Sequence, residues 1–328
     1  MHLICLGVMR KLLLLWCCGK PSTKLAFQKI SDISSLLKQC SPNVPLEFNR
    51  KPRGLNEIRR WKATEFRQFL LYTGPIVLQS NINRDRYINF LSLHIAVIIL
   101  SHPQHTTKIE YASELLKYFV KTFKILYGPE NMSHNVHNLL HITDDVKYHG
   151  VLDNFSAFPF ENHLQSILKS LRKCEKPLQQ IVKRHSEKQN ENYNYEKKNC
   201  PIYKRDQNAT SLLTKLKITS HSKSVAYSNF ILTTREPDNC CRLKNGDVII
   251  IKDIVLNQNE FKFLGNKYLS LTSLYSSPCE SSDLGIFAAK STDFDTDCLF
   301  EFENVDYKCL HFKIAHKSFV VPIIHTQV

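Results

Sequence analysis

The chain has 328 residues, 43% of them hydrophobic and 10% aromatic, with a formal net charge of +14. This composition excludes a wholly disordered chain, and the length suits two domains. The eleven cysteines are odd in number and twice adjacent (Cys17-Cys18, Cys240-Cys241), and no C-x-x-C occurs, so reduced thiols are expected rather than a secreted disulfide framework or a thiolate zinc knuckle.

Residues 1–205 hold 31 Lys+Arg against 16 Asp+Glu, whereas residues 206–328 hold 13 against 14, so the basic character belongs to the first part. Such a field favours a polyanion, of which nucleic acid is the commonest inside a cell; the plainer alternative is charge that serves solubility.

In chain order, "MHLICLGVMRKLLLLW" is first. It does not fit a signal peptide, because Arg10 and Lys11 interrupt the apolar run, and it is shorter than the roughly 20 apolar residues of a membrane span. Helical period predicts a helix that buries Leu3, Leu6, Leu13, Leu14 and Trp16 and keeps Arg10 and Lys11 on another side. "LNEIRRWKATEFRQFLLYTGPIVL" also has helical spacing, and Gly74-Pro75 should end or kink it. "RYINFLSLHIAVIIL" is apolar almost all round, the pattern of a central core helix. "IEYASELLKYFVKTFKILYG" is amphipathic and stops at Gly128-Pro129, and a similar run stops at Gly150.

His134, His137 and His141 stand at spacings of three and four, which on a continuous helix would place them on one face, as a metal site requires. No H-E-x-x-H accompanies them, and a structural or hydrogen-bonding role is the favoured reading, with no metal assigned. "FPFENHLQSILKSLRK" opens a further helix with Glu161 in its first turn, where the macrodipole stabilises a carboxylate whatever its function. Metal-dependent phosphoryl transfer needs more than one such acid, and no companion is evident upstream. Beyond it, Arg172, Lys173, Lys176, Lys183 and Arg184 are candidate phosphate contacts, or else a solvated helix face.

Residues 184–208 are polar and nearly free of aliphatics, the composition of a linker. Residues 209–328 then change to short alternating or β-branched runs separated by turn signals such as Asn245-Gly246 and Gly265-Asn266. The expected fold is therefore α+β: a mainly helical region over 1–183, a linker, and a small antiparallel β-domain.

Three stretches taken together carry a resemblance: "MHLICLGVMRKLLLLW", "RRWKATEFRQFLLYTGPIVL" and "NVHNLLHITDDVKYHGVLDNFSAFPFENHLQSILKSLR". They resemble the later half of CACTA-like (En/Spm) DNA transposases over about residues 1–185, and the β-rich tail is similar to a C-terminal domain found in such relatives. The resemblance implies a ribonuclease-H-like core, truncated here, with a helical insertion and a D-D-E acid triad that holds two divalent metals. Glu161, in "PFE", matches the third acid, and Met1-His2 matches a D-x-M-H motif whose Asp would precede this chain.

The resemblance further implies a transposable-element-derived, catalytically incomplete protein that holds double-stranded DNA through its basic helical region. It implies no cofactor for this chain, Mg2+ only as part of a complete transposase, no membrane partner, and nuclear residence, otherwise cytoplasmic. Two alternatives stand beside it: a protein-interaction or self-association module, and a part of a longer active transposase. The truncated core would leave the apolar face around Leu12 to Trp16 bare.

Overall fold

Residues 3–18 form one continuous helix in the computed structural model, which describes residues 1–191, 220–222, 224–257 and 260–324. Leu3–Met9 is π-helical, and α1 (Arg10–Cys18) continues it as α-helix. Ile4, Cys5, Val8, Met9, Leu12, Leu13 and Trp16 are buried while Arg10 is exposed. The helix is amphipathic as expected, but of the residues expected to be buried only Leu13 and Trp16 are fully so: Leu3 and Leu14 are half-buried and Leu6 is on the outer side, because the wider π-turn rotates the buried stripe relative to an α-helical count. The face expected to be bare is covered: Leu12, Leu13 and Trp16 are fully buried, and the Trp16 indole donates to the Tyr127 hydroxyl at 3.1 Å.

α2 (Phe27–Cys40) is next in the chain, then α3 (Ala63–Gln68) and α4 (Gly74–Leu78), joined by a π-turn over Phe69–Thr73. Gly74-Pro75 does not end this run. Pro75 has no N–H to donate, and the π-turn in front of it lets the helix resume as far as Leu78. α5 (Arg84–Ser101) starts on the Asn83 side chain, which accepts from the Arg86 N–H at 3.1 Å, and is buried almost all round as expected. α6 (Ile109–Tyr127) ends at Gly128 with φ 88°. Next come α7 (His134–His137) and α8 (Ile142–His149), the latter stopping at Gly150 with φ 82°.

α9 (Phe158–Ser170) and α10 (Pro177–Glu191) form a largely exposed pair. α10 runs into the segment expected to be linker. Polar composition suits a solvated helix as well as a connector, and the rest of that segment lies outside the described residues. No helix among the described residues is long and apolar enough to cross a membrane.

The β part comprises β1 (Ser220–Ser222), β2 (Ser224–Ala226), β3 (Ile231–Thr233), β4 (Cys240–Leu243), β5 (Val248–Asn257) and β6 (Glu260–Tyr268). β7 (Thr272–Ser273), β8 (Phe287–Lys290), β9 (Phe294–Glu301), β10 (Val305–Ile314) and β11 (Lys317–Pro322) complete it. All pairings are antiparallel, in the order β7-β8-β11-β10-β4-β5-β6-β9, with β1 also on β5 and a separate β2–β3 ribbon. Asn245-Gly246 turns the β4–β5 hairpin as expected. Gly265-Asn266 is no turn: it lies inside β6 at a register shift, where a Cβ on Gly265 would come within 2.4 Å of the Ile250 carbonyl oxygen. The fold is thus α+β, helices first and antiparallel sheet after.

Helices and sheet share one apolar core, in which Leu310 and Phe312 of β10 and Phe319 and Val321 of β11 join residues of α1, α2 and α5. Polar ties cross the same boundary. The Gln79 amide donates to the Leu274 carbonyl at 2.7 Å, and His94 of α5 sits 2.7 Å from the Leu70 carbonyl and 3.1 Å from the Tyr275 hydroxyl. The strongest tie is Lys308 of β10, fully buried, whose ammonium meets both Glu47 oxygens at 2.8 and 2.9 Å, Asp238 at 2.6 Å and the Ile231 carbonyl at 2.6 Å.

Lys308→Met leaves two carboxylates facing each other where their cation stood, and urea unfolding should record a loss of about 3–5 kcal/mol, part of which returns when Glu47→Gln and Asp238→Asn are added.

Burial holds His94 and His311 well below the ordinary imidazole value of 6.5, each at about 4. The unfolded chain therefore binds more protons than the folded one between these values, and stability is present above pH 6.5 and falls as pH drops towards 4. His94→Gln should flatten that decline in thermal unfolding measured across the same pH window.

Candidate nucleic-acid interface

The helix over residues 3–18 has a second face. His2, Leu6, Gly7, Arg10, Lys11, Leu14, Leu15 and Cys18 recur at helical spacing opposite the buried stripe. From Leu6 to Cys18 this face, with Gly19, Arg59 and Asn131, lines a groove of about 500 Å³. Arg59 lies in the 3₁₀ turn Leu55–Arg60, and this turn is fastened by Arg53, which donates to Glu57 at 3.0 Å and to the buried Glu65 at 2.7 Å. Asn131, at the end of the 3₁₀ turn Pro129–Asn131, is the remaining lining residue, and α7 packs beside the groove at Gly7, where a Cβ would stand 2.7 Å from the Asn135 side chain. No described carboxylate pairs with Arg10, Lys11 or Arg59. Three cations of like sign thus converge on a groove with apolar stems beneath them, an arrangement that suits phosphates along a backbone.

The N-terminal end of the same helix meets Glu161. His2 Nε2 lies 2.8 Å from Glu161 Oε1, and the His2 ring packs edge-on against Phe158 with centroids 4.5 Å apart. Glu161 sits in the first turn of α9, as expected, and its side chain is 58% exposed, so it is open to a ligand. Arg67 of α3 donates to Asp153 at 2.7 Å, which occupies that carboxylate. No group of three or more His, Cys, Asp or Glu suited to a metal occurs among the described residues. A carboxylate–imidazole pair can orient a water or a phosphate oxygen, whereas a two-metal centre needs further acids.

The candidate phosphate contacts Arg172, Lys173 and Lys176 cluster in the exposed loop between α9 and α10. Gln180 fastens this loop: its Oε1 accepts from the Arg172 and Lys173 N–H groups at 3.0 and 3.4 Å, and its amide donates to the Lys173 and Glu175 carbonyls at 2.9 and 2.6 Å. Lys183 and Arg184 lie farther along α10, and Arg184 is paired with Glu187 at 2.5 Å. At 1.5 Å per residue α9 is about 20 Å long, so the loop is about that far from the start of the helix. The structure therefore joins Glu161 to His2 but keeps the loop cations apart from both.

His134, His137 and His141 do not share one helix. α7 stops at His137, a 3₁₀ turn covers Asn138–Leu140, and α8 starts only after His141. His137 and His141 remain neighbours, with ring centroids 5.6 Å apart, while His134 Nδ1 contacts the Asn138 amide at 3.2 Å. A continuous helix is what the spacing predicts, and its break removes the common face that a three-histidine site requires.

The groove itself is a site that the sequence does not reveal. Arg10 and Lys11 are visible on the polar face of the first helix, but Arg59 arrives from a turn distant in sequence, which periodicity within one helix cannot show.

A family model described as a domain of unknown function (DUF8592) matches residues 205–323, so the β part is similar to that domain. No curated protein and no solved structure matches the chain.

Proposed function

We propose that the protein is a transposable-element-derived nucleic-acid-binding protein, akin to CACTA-like transposases, that holds double-stranded DNA by its phosphates. The observation that carries this reading is the groove in which Arg10, Lys11 and Arg59 converge without a described acidic partner. The loop cations Arg172, Lys173 and Lys176 provide a second contact region on the same basic part of the chain. The contact between His2 and Glu161 supports the reading, since it brings together the first and third of the three stretches that carry the resemblance. On this reading the protein acts in the nucleus and binds without cutting, since the resemblance implies an acid triad of which Glu161 is only the third member.

Binding to labelled duplex DNA should weaken steeply with salt, and combining Arg10→Ala, Lys11→Ala and Arg59→Ala should reduce the slope of log K against log salt by about 2.7, at about 0.9 per phosphate contact. Binding that ignores salt would sink the reading. Magnesium in the same tubes should leave the duplex intact.

One observation favours self-association as a second reading. Phe160, Leu164 and Leu168 of α9 and Leu178 and Val182 of α10 are each more than half exposed and recur at helical spacing of four. If this stripe joins two copies, light scattering should give a mass above the 38.1 kDa of one chain, and Leu164→Glu with Leu168→Glu should return it to that value.

A further inference from the structure

Helices and sheet leave a second cavity between them, of about 280 Å³, lined by residues other than those of the basic groove. One wall is the turn after α5, with His102 and His105; the other is formed by the β4–β5 turn, the Ser281–Leu284 turn and β10. In this second wall Arg242 of β4 is held in place. Its guanidinium lies over the Phe287 ring at 5.3 Å and the Tyr307 ring at 5.9 Å, and donates to the Tyr307 hydroxyl at 2.9 Å. No described carboxylate forms an ion pair with it. A guanidinium fixed by two rings and one phenol keeps its remaining donors aimed in a constant direction.

The space in front of it is kept clear by two glycines. Gly285, at φ 72°, stands where a Cβ would come within 2.8 Å of the Tyr307 oxygen and 3.2 Å of the Arg242 fork. Gly246, at φ 92°, faces the other end of the guanidinium, with 3.5 Å between its Cβ position and that nitrogen. The rest of the lining is mixed: Ile98, Leu243, Leu284 and Ile324 are apolar, Gln104, Lys244 and Ser282 are polar, and Asp283 and Asp306 add negative charge to the walls. The acids work against a dianionic phosphate more than against a singly charged group.

We propose that this cavity binds the carboxylate of a small monocarboxylic acid, with Arg242 as its anchor and the mixed apolar and polar lining around the body of the ligand. The anchor makes charge-assisted hydrogen bonds to the planar carboxylate through its free edge. The Tyr307 phenol, which burial keeps protonated, orients the fork and has its own O–H to offer. His105 is neutral at physiological pH, because burial lowers it to about 4, and so adds no charge beside Arg242 and the exposed Lys244.

The test is titration calorimetry on the full chain with 3-methylbutanoate, its primary amide and inorganic phosphate as probes. The acid should bind at least about tenfold more tightly than the amide, and phosphate should bind more weakly than the acid. Arg242→Met, which retains a stem over the two rings, should lose about tenfold or more in acid affinity and no affinity for the amide. Should that variant fail to fold, Tyr307→Phe carries the same test, with a several-fold loss expected from a freed guanidinium. Equal affinity for acid and amide, tighter binding of phosphate, or full affinity in a folded Arg242 or Tyr307 variant would overturn the assignment.

Discussion

The arrangement of helices on sheet depends on one buried cation. Lys308 has no exposed surface, and its ammonium is held by Glu47 from the loop after α2, by Asp238 ahead of β4 and by the Ile231 carbonyl of β3. Apolar burial supplies most of the free energy for joining two such layers, but it has little directional preference, so many slightly shifted packings would bury similar area. A desolvated ammonium held by two carboxylates and a carbonyl tolerates no such shift, since any displacement leaves a buried charge unmatched. The Leu46 N–H, which donates to the same Asp238 at 3.2 Å, extends the constraint into the main chain of the helical part. The basic groove and the Arg242 cavity both lie on the frame that this contact keeps in register.

The two clefts use their cations differently. Along the first helix, Arg10 and Lys11 extend from a single rigid element, and Arg59 completes the set from a turn that the Arg53–Glu65 bridge secures. Such cations can each track a phosphate while their stems stay on the apolar floor. Arg242 has no comparable freedom, held as it is between Phe287 and Tyr307. One arrangement suits an extended polyanion of any sequence, the other a single planar group of fixed orientation.

Much of the fold is legible in the residue pattern. The all-apolar run of α5, the amphipathic α6 with its glycine stop, and the strands described from Ser220 onward each come from periodicity that tertiary contacts reinforce. The departures have local physical causes. A π-turn places Leu6 outside, because counting by 3.6 assumes a regular helix. The break after His137 separates three histidines that a straight helix would align, and Gly265 is the site of a close strand approach rather than a turn. Of the sites, Glu161 and the cations after it are readable as an acid and a basic run, but the partner of Glu161, His2, lies 159 residues away. The Lys308 cluster, the Arg59 wall and the Arg242 cavity are equally out of reach, since each is assembled from segments that only the tertiary fold makes neighbours.

The ends of the sheet bear on how the protein behaves at high concentration. Among the described strands, one end of the path is β7, only two residues long, and the other is β9, which carries Asp295 together with Asp297 and Glu301, the last two paired with Lys252 of β5 and Lys262 of β6. A long flat edge would offer its unpaired main-chain groups to the sheet of another molecule. Here one edge is too short to template such growth, and a sheet added at the other would have to accommodate these charged side chains, so end-to-end stacking of sheets into fibres is opposed at both margins. Asp297, with φ 57°, also lies at a register irregularity of the β6–β9 pairing, a departure from the regular strand that such stacking needs.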